Sequence, residues 1–115
     1  MRLVAERIAV ELGAVKVHNT PVGTAHEYIL NNKRVALKTV AGINWNITVT
    51  YRMLERIDVL LVAFEEELGT YYVYSLSKDD FKTNMSKGDD RMPPIGMMSR
   101  TKFKEKGQLL KEISL

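Results

Sequence analysis

The 115-residue chain contains no cysteine, which excludes disulfide frameworks, thiolate zinc sites and cysteine nucleophiles. Histidine is nearly absent, and His18 and His26 alone leave little from which to build a histidine-rich metal site or a histidine-centred hydrolase. Long apolar runs are missing as well. The longest, Val59 to Phe64, falls far short of the ~20 residues of a membrane helix, and the amino terminus lacks the apolar core of a secretion signal. The expectation is therefore an intracellular, cytoplasmic protein with no membrane partner. What remains, 45% hydrophobic and 27% charged side chains, is the composition of a single globular domain spanning residues 1–115.

The formal charge of +3 is unevenly spread. Up to Ser77 eight basic residues balance eight acidic ones, whereas Lys78 to Leu115 carries nine basic against six acidic. A polyanionic partner such as DNA would find its phosphate contacts in that last third or on strands beside it.

Val4, Ile8 and Leu12, with Ala5 and Ala9 beside them, form a helical stripe over residues 2–12 that Gly13 can end. Val15 to His18 suits a short extended segment before a turn-rich loop at 19–24. His26 to Leu30 and Lys33 to Val40 read as two strands joined by Asn31-Asn32, since asparagine tolerates the positive φ of a two-residue hairpin turn. Ile43 to Thr50 alternates apolar and polar side chains as a third strand, with Trp45 on the apolar side. Tyr51 to Ile57 suits a short helix, and Val59 to Phe64, apolar on both parities, suits a strand buried on both faces. Thr70 to Leu76 reads as a further strand and Lys78 to Met85 as a helix with Asp79 and Asp80 in its first turn. Gly88, Pro93, Pro94 and Gly96 mark 83–100 as a long loop, and Phe103 to Ile113 as a closing helix. The fold class expected is α/β, a mixed central β-sheet flanked by helices.

Within the second hairpin strand, Arg34, Ala36 and Lys38 share one face, and Glu27 lies across the turn from them. This layout, with Gly23-Thr24-Ala25-His26-Glu27-Tyr28-Ile29-Leu30 leading into Asn32-Lys33-Arg34-Val35-Ala36-Leu37-Lys38-Thr39, resembles the core of the PD-(D/E)xK nuclease superfamily. That superfamily contains restriction endonucleases and small Holliday-junction resolvases. In it an acid begins one strand and an acid-x-lysine triplet follows on the next. The resemblance covers the order of elements over residues 2–76 and implies a restriction-endonuclease-like fold. It assigns catalytic positions to Glu27, Ala36 and Lys38, with Ala36 standing where the second acid belongs. It also implies Mg²⁺ or Mn²⁺ as cofactor, held by hard oxygen ligands. Because an alanine methyl cannot coordinate a metal, Glu27 would need a further ligand, whether Glu6 or Glu11, a backbone carbonyl near residue 37 or phosphate oxygens of the substrate. Ala36 either replaces an acid in an inactivated version or marks a naturally degenerate member that binds without cutting.

The function this resemblance implies is metal-dependent DNA endonuclease activity, with Holliday-junction resolution ahead of sequence-specific restriction or homing cleavage. A homodimer is the expected means of cutting two strands, with Val59 to Phe64, Met92, Ile95, Met97 and Met98 available as apolar interface. DNA contacts fall to Lys33 and Arg34 at the hairpin tip and to Arg100, Lys102 and Lys104, which would line one face of an extended segment, with Lys106 beyond. Two other classes compete. One is a noncatalytic DNA-binding module on the same fold. The other is a protein-interaction subunit using the Glu65-Glu66-Glu67 turn and the methionine-bearing loop.

Overall fold

A computed structural model describes residues 2–17, 27–40, 46–87 and 95–115. The chain opens with helix α1 (Arg2–Leu12) and the short strand β1 (Val15–Lys16), then the hairpin β2 (Glu27–Leu30) and β3 (Lys33–Val40). Asn31 and Asn32 adopt φ of 53° and 63°, the positive values that a two-residue turn between twisted strands requires. Gly13, at φ 79°, ends α1 and lets the Ala14 N–H return to the Ala9 carbonyl.

After β3 the chain leaves the sheet through β4 (Asn46–Thr50) and α2 (Tyr51–Arg56), then returns as β5 (Val59–Glu67), paired parallel to β3. Strand β6 (Thr70–Ser77) folds back antiparallel on β5, with Glu66 as the extra residue of a bulge. Helix α3 (Lys78–Asn84), strands β7 (Ser86–Lys87) and β8 (Ile95–Ser99), helix α4 (Arg100–Lys106) and strand β9 (Gln108–Ser114) complete the order. The larger sheet runs β1-β2-β3-β5-β6-β9 and the smaller β4-β8-β7. The α/β class and the mixed central sheet flanked by helices are as the sequence implies.

The period of two along each strand sorts the core into two layers. On one face of the large sheet Tyr28, Val35, Leu37, Leu61, Ala63 and Val73 pack against Ala5, Ile8 and Ala9 of α1. On the other, Ala36, Val40, Leu60, Val62, Phe64 and Leu76 lie beneath Ile47, Val49 and Met98 of the small sheet. That layer also takes Leu54, Phe81 and Phe103, one from each of the short helices. Each lies four residues after a capping hydroxyl. Thr50, Ser77 and Ser99 accept from the backbone N–H of Met53, Asp80 and Lys102, each at 3.1 Å. Helices of six or seven residues would not persist alone, so the cap and the buried anchor together hold them.

Two expectations fail here. The stretch 83–100 is not a long irregular loop, because β7 and β8 pair within it, although 88–94 lie outside the described residues. Phe103 to Ile113 is not one helix. α4 stops at Lys106, and Gly107 approaches the backbone so closely that a Cβ there would sit 2.7 Å from the Ser75 carbonyl oxygen. Strand β9 then pairs with β6, with Leu110 as an unpaired extra residue. The proposed interface residues are also claimed internally: Leu60 to Phe64, Ile95 and Met98 are buried in the chain's own core. Met92, Trp45, His18 and His26 lie outside the described residues. No helix among the described residues is long and apolar enough to cross a membrane.

Candidate functional site

The tight turn at Asn31-Asn32 fixes the hairpin register so that Glu27 lies directly opposite Ala36. Side chains two apart on β3 share a face, so Arg34 and Lys38 flank that pair. Glu27 is completely buried, the one buried charged side chain among the described residues. A bare carboxylate there would be prohibitively costly, and two guanidinium groups compensate it. Arg34 Nε donates to Oε1 at 2.7 Å, and Arg56, from the last turn of α2, donates through Nε to Oε2 at 3.0 Å. The arginine side chains themselves remain 34% and 24% exposed, so both bridge the interior and solvent.

Asp58, just before β5, pins this arrangement from the backbone side. Its Oδ2 accepts from the Arg34 N–H at 3.0 Å, and its own N–H donates to the Arg34 carbonyl at 2.7 Å. Lys38 reaches across to the small sheet, where Nζ donates to the Thr48 carbonyl at 2.6 Å. Burial pushes its ammonium group below the usual lysine range. Two guanidinium groups thus hold the carboxylate, while Lys38, on the same face of the sheet, is bonded elsewhere.

The geometry does not suit a divalent metal. Both Glu27 oxygens face guanidinium N–H groups, and Ala36 offers only a methyl buried in the core. The proposed additional ligands, Glu6 and Glu11, belong to α1, which packs on the opposite face of the large sheet. There Glu6 helps to raise the Tyr28 hydroxyl above the usual tyrosine range, with burial of the ring as the larger cause. Among the described residues no three His, Asp or Glu side chains converge to hold a cation.

The expected DNA-contacting residues separate into two groups. Lys33 is exposed at the hairpin tip, with Arg34 beside it. Arg100, Lys102 and Lys104 lie on helix α4, not on an extended segment, so a step of about 100° per residue splits them. Arg100 and Lys104 face inward to Glu66 and the Phe64 ring, whereas Lys102 and Lys106 remain exposed on the outer side. Arg56 was not foreseen as a site residue. No spacing rule in the sequence names the helix that supplies it, since Arg56 lies 29 residues from Glu27.

No family model matches the chain, nor does any curated protein or solved structure. The functional reading therefore rests on the side chains themselves.

Proposed function

We propose that this chain is a noncatalytic DNA-binding module on a restriction-endonuclease-like core, in which Arg34 and Arg56 stand where the resembling nucleases carry a metal ion. The carrying observation is the buried Glu27 carboxylate shared between two guanidinium groups. A guanidinium cannot be deprotonated at physiological pH, so the carboxylate is neutralised without a metal while the arginines keep outward N–H donors. Held by one rigid partner, those donors are pre-positioned for phosphate oxygens, which arginine recognises in fork geometry. Lys33 adds an exposed cation at the hairpin tip beside them. The contacts this supplies are to the backbone of DNA, which position the duplex without reading its sequence.

The test is binding of the chain to a short duplex followed by fluorescence anisotropy across a salt series, with cleavage of linear, single-stranded and four-way-junction DNA assayed in Mg²⁺ and Mn²⁺. Binding should weaken steeply with salt, Lys33→Ala should reduce the salt slope by about one unit, and no substrate should be cut. Absence of binding at low salt would overturn the proposal. A second reading, the endonuclease itself, is favoured by one observation: Glu27, Ala36 and Lys38 share one face, as the nuclease resemblance requires. Mg²⁺-dependent cutting by this chain or by its Ala36→Asp variant, lost on Lys38→Met, would establish that reading.

A further inference from the structure

A separate cavity of about 190 Å³ lies where the small sheet meets the ends of α3 and α4, with Met97 and Met98 in its lining. Pairing of β4 with β8 brings Asn46 beside Ser99, and pairing of β7 with β8 brings Ser86 beside Met97. Asn84, at the end of α3, and Lys102, in the first turn of α4, close the sides. The volume lies below the ~300–1,000 Å³ of sites for drug-sized ligands, so the cavity admits a fragment of about one ring system.

Its chemistry narrows the occupant. No carboxylate lines it, and Lys102 places one ammonium at the rim, so a cation is disfavoured and an anionic attachment favoured. Asn84 Nδ2 is committed to the Asp80 carbonyl at 2.8 Å, which leaves its Oδ1 as an acceptor. The Ser99 hydroxyl oxygen accepts from the Lys102 N–H and retains its own proton to donate. The side chains of Asn46, Ser86 and Lys102 make no hydrogen bond among the described residues. Two carboxamides, two hydroxyls and a half-buried methionine floor thus offer alternating donors and acceptors over an apolar surface.

A planar heterocycle with donors and acceptors on its edge meets those groups, and carboxamides are well suited to reading base edges. We propose that this cavity receives a single unpaired nucleobase of a DNA strand, with Lys102 on the adjoining phosphate. This deepens the DNA-binding reading and rests on it. It gives the module a preference for unpaired positions, since a base in a stacked duplex cannot enter a cavity of this size.

The experiment uses the intact chain in two arms. In the first, AMP, CMP and inorganic phosphate are titrated while the side-chain amide resonances of Asn46 and Asn84 are followed. At least one nucleotide should shift both, and phosphate alone should shift neither. In the second, Asn46→Ala and Lys102→Ala, both at exposed positions, are compared on single-stranded and duplex oligonucleotides. Each variant should lose about tenfold in single-strand affinity and leave duplex affinity within twofold of the original. Unshifted amides with every nucleotide, or equal losses on both forms of DNA, would overturn the cavity proposal while leaving the arginine site standing. Duplex affinity that is absent from the start marks failure of the underlying DNA-binding reading instead. Nucleotide shifts without affinity for any strand would overturn the assignment of the occupant to a DNA strand.

Discussion

Among the described residues two carboxylates face two cations each, and they differ in how much water reaches them. Glu27 meets Arg34 and Arg56 with none of its side chain exposed. Glu66 meets Arg100 and Lys104 with 35% exposed. The stoichiometry is the same, but the consequences are not. At Glu66 water still reaches the carboxylate, although its partners are largely covered, Arg100 at 11% exposed and Lys104 at 28%, and a carboxylate that keeps its water depends less on its partners. At Glu27 the pairing is a condition of burial, so loss of either arginine leaves a buried carboxylate with one guanidinium in place of two. A count of partners alone would rank the two clusters as equals. Desolvation separates them.

The largest effect should come from breaking the buried cluster. Arg56→Met should destabilise the fold by about 3 kcal/mol, the lower end of the range for a widowed buried charge, because Arg34 still compensates part of it. Urea denaturation would show the lowered midpoint, and a double variant with Glu27→Leu should recover much of the loss. A loss below about 1 kcal/mol would mean that Glu27 reaches water when its partner leaves. Ser99→Ala acts on the other side of the comparison. It removes the cap of the helix that carries Arg100 and Lys104, and should cost about 1 kcal/mol by thermal unfolding with the Glu27 cluster unaffected. Glu66→Gln should cost less than about 1 kcal/mol, an effect that fades in high salt.

Lys38 sharpens the contrast, because it is a cation beside Glu27 with a carbonyl as its partner. Its proton affinity in the folded chain lies below the ordinary value of 10.5. As pH rises from the folded value towards 10.5, the unfolded chain holds more protons at this position than the folded one, so this group's contribution shifts in favour of folding. The stability difference between the chain and its Lys38→Met variant should therefore move towards the chain over that interval. Pairwise comparison removes the opposing drift from Tyr28, Tyr71 and Tyr72, whose hydroxyls are all shifted upward.

What the residues disclosed in advance follows the same division between local and distant causes. The Asn31-Asn32 turn, the alternation from Lys33 to Val40 and the doubly apolar Val59 to Phe64 each encode their structure within a few neighbours, and those elements form as expected. The common face of Glu27, Ala36 and Lys38 was legible for the same reason. The occupancy of Glu27 was not, since Arg56 arrives from a helix 29 residues away that strand periodicity does not locate. The closing segment was misread as helix because the breaker, Gly107, acts through close approach to the Ser75 carbonyl, a neighbour distant in the chain. The repeated pattern of a hydroxyl residue followed four positions later by Leu54, Phe81 or Phe103 was present to be used. It marks all three short helices, including α4, whose cations it turns out of line.

The irregularity at Leu110 has a bearing on how the molecule behaves in company. Strand β9 is the outer margin of the large sheet, and Leu109 and Leu110 are 48% and 44% exposed. A straight ladder with two bare leucines would invite a foreign strand to continue the sheet. The extra residue interrupts the regular spacing of N–H and C=O groups that such a newcomer would need, and Lys111 follows it with a charge. The chain thus carries its own stop against edge-to-edge aggregation at the point where its sheet would otherwise be most easily extended.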